Sequence, residues 1–187
     1  MSRLDSAIRR LEAQRACLDR AAALIEDVPG PVLELGLGNG RTYDHLRERL
    51  PGREIFAFDR QVAAHPDCVP DATHLILGDF RETLPAARPR LAPAALIHAD
   101  FGSGDRAATR DLATVVAGAV DVLIAAGGIV ASDQPLHREP GWAGRFTRLD
   151  LPDGIAENRY FLYRRHGPDE TTPAIARVVH DKPRNRQ

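Results

Sequence analysis

The chain has 187 residues, 43% hydrophobic and 27% charged, with a formal net charge of −1. That reads as a single globular domain with a full core, and it gives no electrostatic drive toward nucleic acid or an anionic membrane. Cys17 and Cys68 form no C-x-x-C pair and no apolar signal core or membrane-length run is present, so reduced thiols, a cytoplasmic location and no membrane partner are expected.

Leu4, Ile8, Leu11, Leu18, Ala22 and Ile25 recur at helical spacing, broken by Arg15, and predict an amphipathic helix from about Ser2 to Glu26. Pro29-Gly30-Pro31 ends it. Val32 to Leu35 read as a buried strand, and Gly40 to Leu50 as a helix stopped by Pro51-Gly52. Ile55 to Phe58 form a second strand with Asp59 at its end, and His74 to Leu77 a third that runs into Gly78-Asp79. Ala95 to Ala99 are a fourth strand, ending at Asp100.

The next helix carries a stripe of Leu112, Val115, Val116, Ala119, Val120 and Leu123, with Asp105 as its N-cap and Gly127-Gly128 closing it. Ile129 to Ser132 form a fifth strand, ending at Asp133. Phe146 to Leu151 and Tyr160 to Tyr163 predict a β-hairpin around Pro152-Asp153-Gly154. One domain results: an N-terminal helix in 1–30, a core in 31–165 and a loosely packed polar tail in 166–187. The basic cluster Lys182 to Arg186 reads as a solvated end.

Strands alternating with helices imply an α/β fold, a doubly wound and mostly parallel sheet with its ligand at the carboxyl ends of the strands. Four strands end at Asp59, Asp79, Asp100 and Asp133, and Glu34 lies inside the first. Any one of these could instead cap a turn or a helix.

The stretch "VLELGLGNGRT" (32–42) puts Glu34-x-Gly36-x-Gly38-x-Gly40 between a strand and a helix. Glycine leaves no Cβ to hold a ligand away from the backbone. A dinucleotide fingerprint would need its third glycine where Arg41 stands, which disfavours a nicotinamide dehydrogenase, and no P-loop Gly-Lys-Ser/Thr follows.

The E-x-G-x-G-x-G pattern resembles motif I of the class I S-adenosylmethionine-dependent methyltransferases, and the resemblance spans roughly Pro31 to Tyr163. It implies a Rossmann-like, seven-stranded sheet whose last two strands form an antiparallel C-terminal hairpin, with the N-terminal helix as an addition. It implies S-adenosyl-L-methionine as cofactor, with Glu34, Gly36, Gly38 and Gly40 around its methionine part. Asp59 would take the ribose hydroxyls and Asp79 the adenine amino group. Leu37, Asn39 and Thr42 of the loop, Arg60, Gly78, Phe80, Asp100 and Phe101 complete the implied cofactor site.

A weaker resemblance, to catechol O-methyltransferase-like enzymes, implies Mg2+ held by Asp100, Asp133 and Gln134, with Gln where that family has Asn. The acceptor side should lie in 98–105 and 131–142, where Asp100 and His137 are the candidate catalytic groups. Trp142 reads equally as a cover for the ligand or as a core anchor, and His98 as a packed core histidine. The [DN]-P-P-[YFW] motif of nucleic-acid amino-methylating enzymes is missing from Asp100-Phe101-Gly102-Ser103, which favours a small-molecule acceptor. A protein or nucleic-acid acceptor, and a non-catalytic cofactor-binding module, stay open. The N-terminal helix is expected either to lid the acceptor pocket or to serve as a homo-oligomer face.

Overall fold

The structure, a computed structural model, describes residues 2–167 apart from Ala92 and Ser103. Most of the expected tail, with its basic cluster, lies outside the described residues.

The chain opens with helix α1 (Arg3–Leu24). A reciprocal capping box starts it: the Asp5 N–H donates to Ser2 Oγ and the Ser2 N–H to Asp5 Oδ2, both at 3.0 Å. Its buried face is Ala13, Gln14, Cys17, Leu18, Ala21 and Ala22. The expected stripe is therefore only half right: Leu18 and Ala22 pack inward, whereas Leu4, Ile8 and Leu11 are exposed. All the buried residues of α1 lie from Ala13 onward, so its packing on the sheet is confined to its second half.

Strand β1 (Val32–Leu35), helix α2 (Arg41–Arg49), β2 (Ile55–Asp59), β3 (Leu75–Leu77), α3 (Phe80–Leu91), β4 (Ala94–Ala99), α4 (Arg106–Leu123), β5 (Ile124–Ser132), β6 (Phe146–Leu149) and β7 (Phe161–Arg165) follow. The seven strands lie in the order β3-β2-β1-β4-β5-β7-β6. Strands β1 to β5 pair in parallel, and β7 runs antiparallel to both β5 and β6. The chain winds outward from β1 through β2 and β3, then returns to place β4 on the other side of β1. That reversal opens a crevice at the carboxyl ends of β1 and β4.

Alternation along the strands sends side chains to two layers. Leu33, Leu35 and Ile97 pack with Leu84 of α3 and with Val116 and Val120 of α4. Val32 and Leu96 pack with Cys17, Leu18 and Ala21 of α1 and with Leu46 of α2. Both cysteines are free thiols, and burial pushes the Cys17 thiol up to about 12. No helix among the described residues is long and apolar enough to cross a membrane.

Two features depart from the sequence reading. Helix α3 is not predicted, because Pro85 and Pro89 lie inside it. Phe80, Leu84, Ala87 and Leu91 nevertheless form a buried stripe, and both prolines are exposed, so the carbonyls they leave unbonded can face water. Gly127-Gly128 does not close α4 either. That helix ends at Leu123 and passes directly into β5, and the glycines lie within the strand where its pairing with β4 shifts register between Ala94 and Leu96. A Cβ on Gly128 would stand 3.0 Å from the Ala95 carbonyl oxygen, so close strand approach selects glycine there.

Candidate active site

The crevice is a cleft of about 280 Å³ lined by Gly36, Gly38, Asp59, Arg60, Phe80, Asp100, Phe101 and Gly102, with Ala108, Thr109 and Leu112 of α4. Its floor is the glycine loop. Gly36 has φ +97°, and a Cβ there would meet the Asp100 carbonyl oxygen at 2.1 Å, so this position serves the junction of β1 with β4. Gly38 has φ +52°, and a Cβ there would meet nothing within 4 Å. The two glycines therefore do different work: one lets protein backbones meet, the other keeps open space beside the cleft.

Asp59, at the end of β2, ties the loop to the cleft wall. Its Oδ2 accepts from the Gly38 N–H at 2.9 Å and its Oδ1 from the Arg60 N–H at 2.6 Å. Arg60 reaches across to Asp79, with its guanidinium nitrogen 3.4 Å from Asp79 Oδ2. Phe80 and Phe101 stand edge to face, with centroids 6.4 Å apart. Asp100, at the end of β4, is reached from α1: Gln14 Nε2 donates to its Oδ2 at 2.6 Å and an Arg10 nitrogen lies 3.5 Å away.

Several expected residues take other places. Asp79 does not line the cleft. It caps α3, accepting the Arg81 N–H at 2.9 Å, and that backbone bond leads the causes that hold its carboxyl below the usual range. Gly78 precedes it, outside the lining. Leu37 is buried, and Asn39 is exposed with its Oδ1 toward the Arg41 N–H at 3.4 Å. Gly40, the residue before α2, packs against the 64–68 segment.

Glu34 lies beneath the cleft rather than in it. Both it and His98 are 0% exposed, and they are register partners on β1 and β4. Glu34 Oε2 is 2.6 Å from His98 Nδ1, the Thr42 hydroxyl donates to Oε1, and His98 Nε2 faces the Tyr160 hydroxyl. Period-two alternation puts Glu34 in the layer under α1 and α2, where it needs these partners. Burial alone would lower the His98 pKa, but the Glu34 carboxylate beside it turns the net shift upward. His98 is thus a core residue, as expected, but part of a buried polar chain.

His137 does not reach the cleft. Its Nδ1 lies 2.8 Å from the Tyr163 hydroxyl and its ring packs on Phe161 of β7, with centroids 5.6 Å apart. Trp142 is a core anchor, stacked on Phe146 at 3.9 Å and 2% exposed. The candidate metal set does not form either. Asp133 accepts from the Phe101 and Gly102 N–H groups at 3.4 and 3.3 Å, and Gln134 turns its amide nitrogen to Asp133 Oδ2 at 2.7 Å. Asp133 thus braces the 101–102 turn. Among the described residues no group of three His, Cys, Asp or Glu side chains could hold a metal ion.

The sequence reading missed Arg10 and Gln14, because nothing in α1 says where it crosses the sheet. It missed the role of Tyr160 because Tyr160 and His98 are 62 residues apart and meet only through the strand order. It also missed Ala108 and Thr109 of α4 and took Leu112 only as a core residue, although a helix directly after the strand-four loop was a signal that could have placed all three.

Two outcomes follow from this geometry. Gly38→Ala puts a methyl group into the open space at a left-handed position. Stability should fall by about 1–2 kcal/mol, whereas affinity for a ligand in the cleft should fall by about tenfold or more. Calorimetry and melting on the same variant check both, and intact affinity would make the loop a mere turn. The second concerns pH. Burial, then the neighbouring Asp100 carboxylate, raises the Asp133 carboxyl from 3.8 to about 6. A carboxyl raised by folding contributes stability below its unfolded pKa and loses it as pH rises through the folded one. Between pH ~4 and ~6 this contribution should decline. Asp133→Asn should flatten that descent in a melting-temperature profile, and identical profiles would show that Asp133 titrates normally.

Comparison with known proteins agrees with the fold. A family model described as S-adenosyl-L-methionine methyltransferase matches residues 1–165. A crystal structure of an S-adenosyl-L-methionine methyltransferase from Silicibacter pomeroyi DSS-3 is 46% identical, with a TM-score of 0.80, over 88% of this chain and 99% of that one. The mycinamycin-pathway methyltransferase MycE, solved with Mg, S-adenosylhomocysteine and mycinamycin VI, superposes with a TM-score of 0.58 at 15% identity, over 88% of this chain and 49% of its own. Human methyltransferase-like protein 13 with S-adenosylhomocysteine gives 0.55 at 13%, over 89% and 85%. These last two show a shared fold alone. No curated protein matches the chain. The family match over most of the sequence, with the near full-length likeness to the Silicibacter protein, makes this chain a member of the S-adenosyl-L-methionine methyltransferase family.

Proposed function

We propose that the cleft beside Gly38 and Asp59 holds S-adenosylmethionine and that the chain transfers its methyl group to a small-molecule acceptor. The observation that carries this reading is the open face of Gly38, pinned by Asp59, in one cleft with Asp100, Phe80 and Phe101. The cofactor supplies a methyl group on a positively charged sulfur. Two carboxylates, with the one lining cation Arg60 paired to Asp79, suit such a ligand. Asp59 would hold ribose hydroxyls, and Phe80 and Phe101 the adenine. Asp100 is the candidate catalytic group, because it faces the cleft and its carboxylate is oriented by Gln14 and Arg10 from α1. That contact favours α1 as a partial cover over the cleft, a role that limits water where displacement at carbon would occur. Asp133 and Gln134 are committed to each other and to the 101–102 turn, so no metal enters this scheme.

The test is a transfer assay with S-adenosylmethionine labelled in the methyl group, offered to a panel of small alcohols, amines and acids, to protein and to RNA, with and without EDTA. The proposal expects label in a small-molecule product and no effect of EDTA. Label in protein or RNA alone would overturn the acceptor class, and loss of transfer with EDTA would restore a metal.

A further inference from the structure

A second cleft of about 600 Å³ adjoins the first through Thr109, which lines both. Its walls are α4 and the segment after β5, with Arg106, Arg110, Gln134, Pro135, Arg138 and Glu139 around it. We propose that this is the acceptor site and that the acceptor is an anion, a small molecule whose carboxylate or phosphate is held by Arg106, Arg110 and Arg138. The inference rests on the transfer reading above and names its substrate class.

The placement of charge carries it. Arg106 and Arg110 are one turn apart on α4, so they share a face. Arg138 comes to the same cleft from the opposite wall, in the 3-10 turn Leu136–Arg138. None of the three forms an ion pair with a described carboxylate. Other described arginines, such as Arg3, Arg20 and Arg159, are also without an ion pair, so what distinguishes these three is that they converge on one cleft from two walls. The one carboxylate in the cleft wall, Glu139, accepts from the Thr114 hydroxyl at 3.2 Å. Three guanidinium groups against the single Glu139 carboxylate leave the cleft net positive, and planar guanidinium groups match carboxylate and phosphate oxygens in pairs. The cleft has the size of a small-molecule site, within the usual range of about 300–1,000 Å³. The chain's net charge of −1 supplies no wider basic field for a polyanion, which favours a small acid over nucleic acid.

The experiment is calorimetry in two stages on the full chain at fixed ionic strength. S-adenosylhomocysteine is titrated first into wild type and into the triple variant Arg106→Gln/Arg110→Gln/Arg138→Gln. Both should bind it within about twofold of each other, because none of the three residues lines the cofactor cleft. Failure of wild type at this stage would sink the cofactor reading itself. The saturated proteins are then titrated with benzoate, benzamide, inorganic phosphate and a 12-nucleotide RNA. Wild type should bind benzoate or phosphate and not benzamide, the stronger of the two anions identifying the acid group. The triple variant should lose that binding by about tenfold or more, and replacement of all three by lysine should restore part of it. Equal response to benzoate, phosphate and benzamide, or undiminished anion binding by the triple variant, would overturn the proposal. RNA binding tighter than either anion and lost in the variant would overturn it in favour of a nucleic-acid acceptor.

Discussion

Glu34→Ala is expected to cost about 3–5 kcal/mol of folding stability. The carboxylate is fully buried in the layer under α1 and α2, and it answers both Thr42 and His98. Its removal leaves the His98 ring, itself fully buried, with the Tyr160 hydroxyl as its remaining partner. An orphaned buried polar group of this kind is costly because water cannot reach it. Urea denaturation of the ligand-free protein measures the loss. Glu34→Gln keeps an acceptor for one partner and should cost less, about 1–3 kcal/mol, so the comparison survives if the alanine variant fails to fold. Cofactor affinity of the folded glutamine variant should change little. An unchanged unfolding midpoint with lost affinity would instead put Glu34 in contact with the ligand, as the family motif alone implies.

Asp59→Ala should act in the opposite sense, on binding more than on folding. If its two oxygens take the ribose hydroxyls, two charge-assisted hydrogen bonds are lost, each worth about 1.5–3 kcal/mol. Water entering the cleft recovers part of this, which leaves roughly 2–3 kcal/mol, or about 30- to 150-fold weaker S-adenosylhomocysteine binding. The residue also holds the Gly38 and Arg60 N–H groups. Those donors lie near solvent, so the folding cost should be about 1 kcal/mol. Melting temperature without ligand and affinity by calorimetry separate the effects. A large fall in melting temperature with affinity intact would make Asp59 only the brace of the loop.

What was legible in the sequence was what local pattern controls. The parallel strands were readable from short apolar runs, although β5 was read only from Ile129 and β6 came from alternation in Phe146–Leu149, and β1 was read to the residue because Pro31 and Gly36 bound it. The Gly36–Gly40 loop and Asp59 announced themselves by spacing. Helix α3 was not readable, because Pro85 and Pro89 contradict helix propensity and only the packing of Phe80, Leu84, Ala87 and Leu91 overrides them. The α4–β5 boundary was misplaced because Gly-Gly is a helix stop in most settings and here answers the Ala95 carbonyl across the sheet. Register was the main thing hidden. Glu34 and His98 are 64 residues apart and meet only because β1 and β4 pair with those positions opposite. Gln14 reached Asp100 by the same kind of long-range placement. His137 illustrates the converse: its position in a strand-five loop suggested chemistry, and the ring turned to Tyr163. Burial lowers its pKa, followed by Arg148 and Arg138, which fits a half-buried structural role.

The claim on which the account rests is that the Gly38–Asp59 cleft holds the methyl donor. Titrating S-adenosylhomocysteine and NAD separately into the ligand-free chain tests it most directly. Saturable binding of S-adenosylhomocysteine at one site per chain, weakened in Asp59→Ala, and no heat from NAD are expected. Binding of NAD without binding of S-adenosylhomocysteine, or S-adenosylhomocysteine affinity equal in wild type, Gly38→Ala and Asp59→Ala, would contradict it.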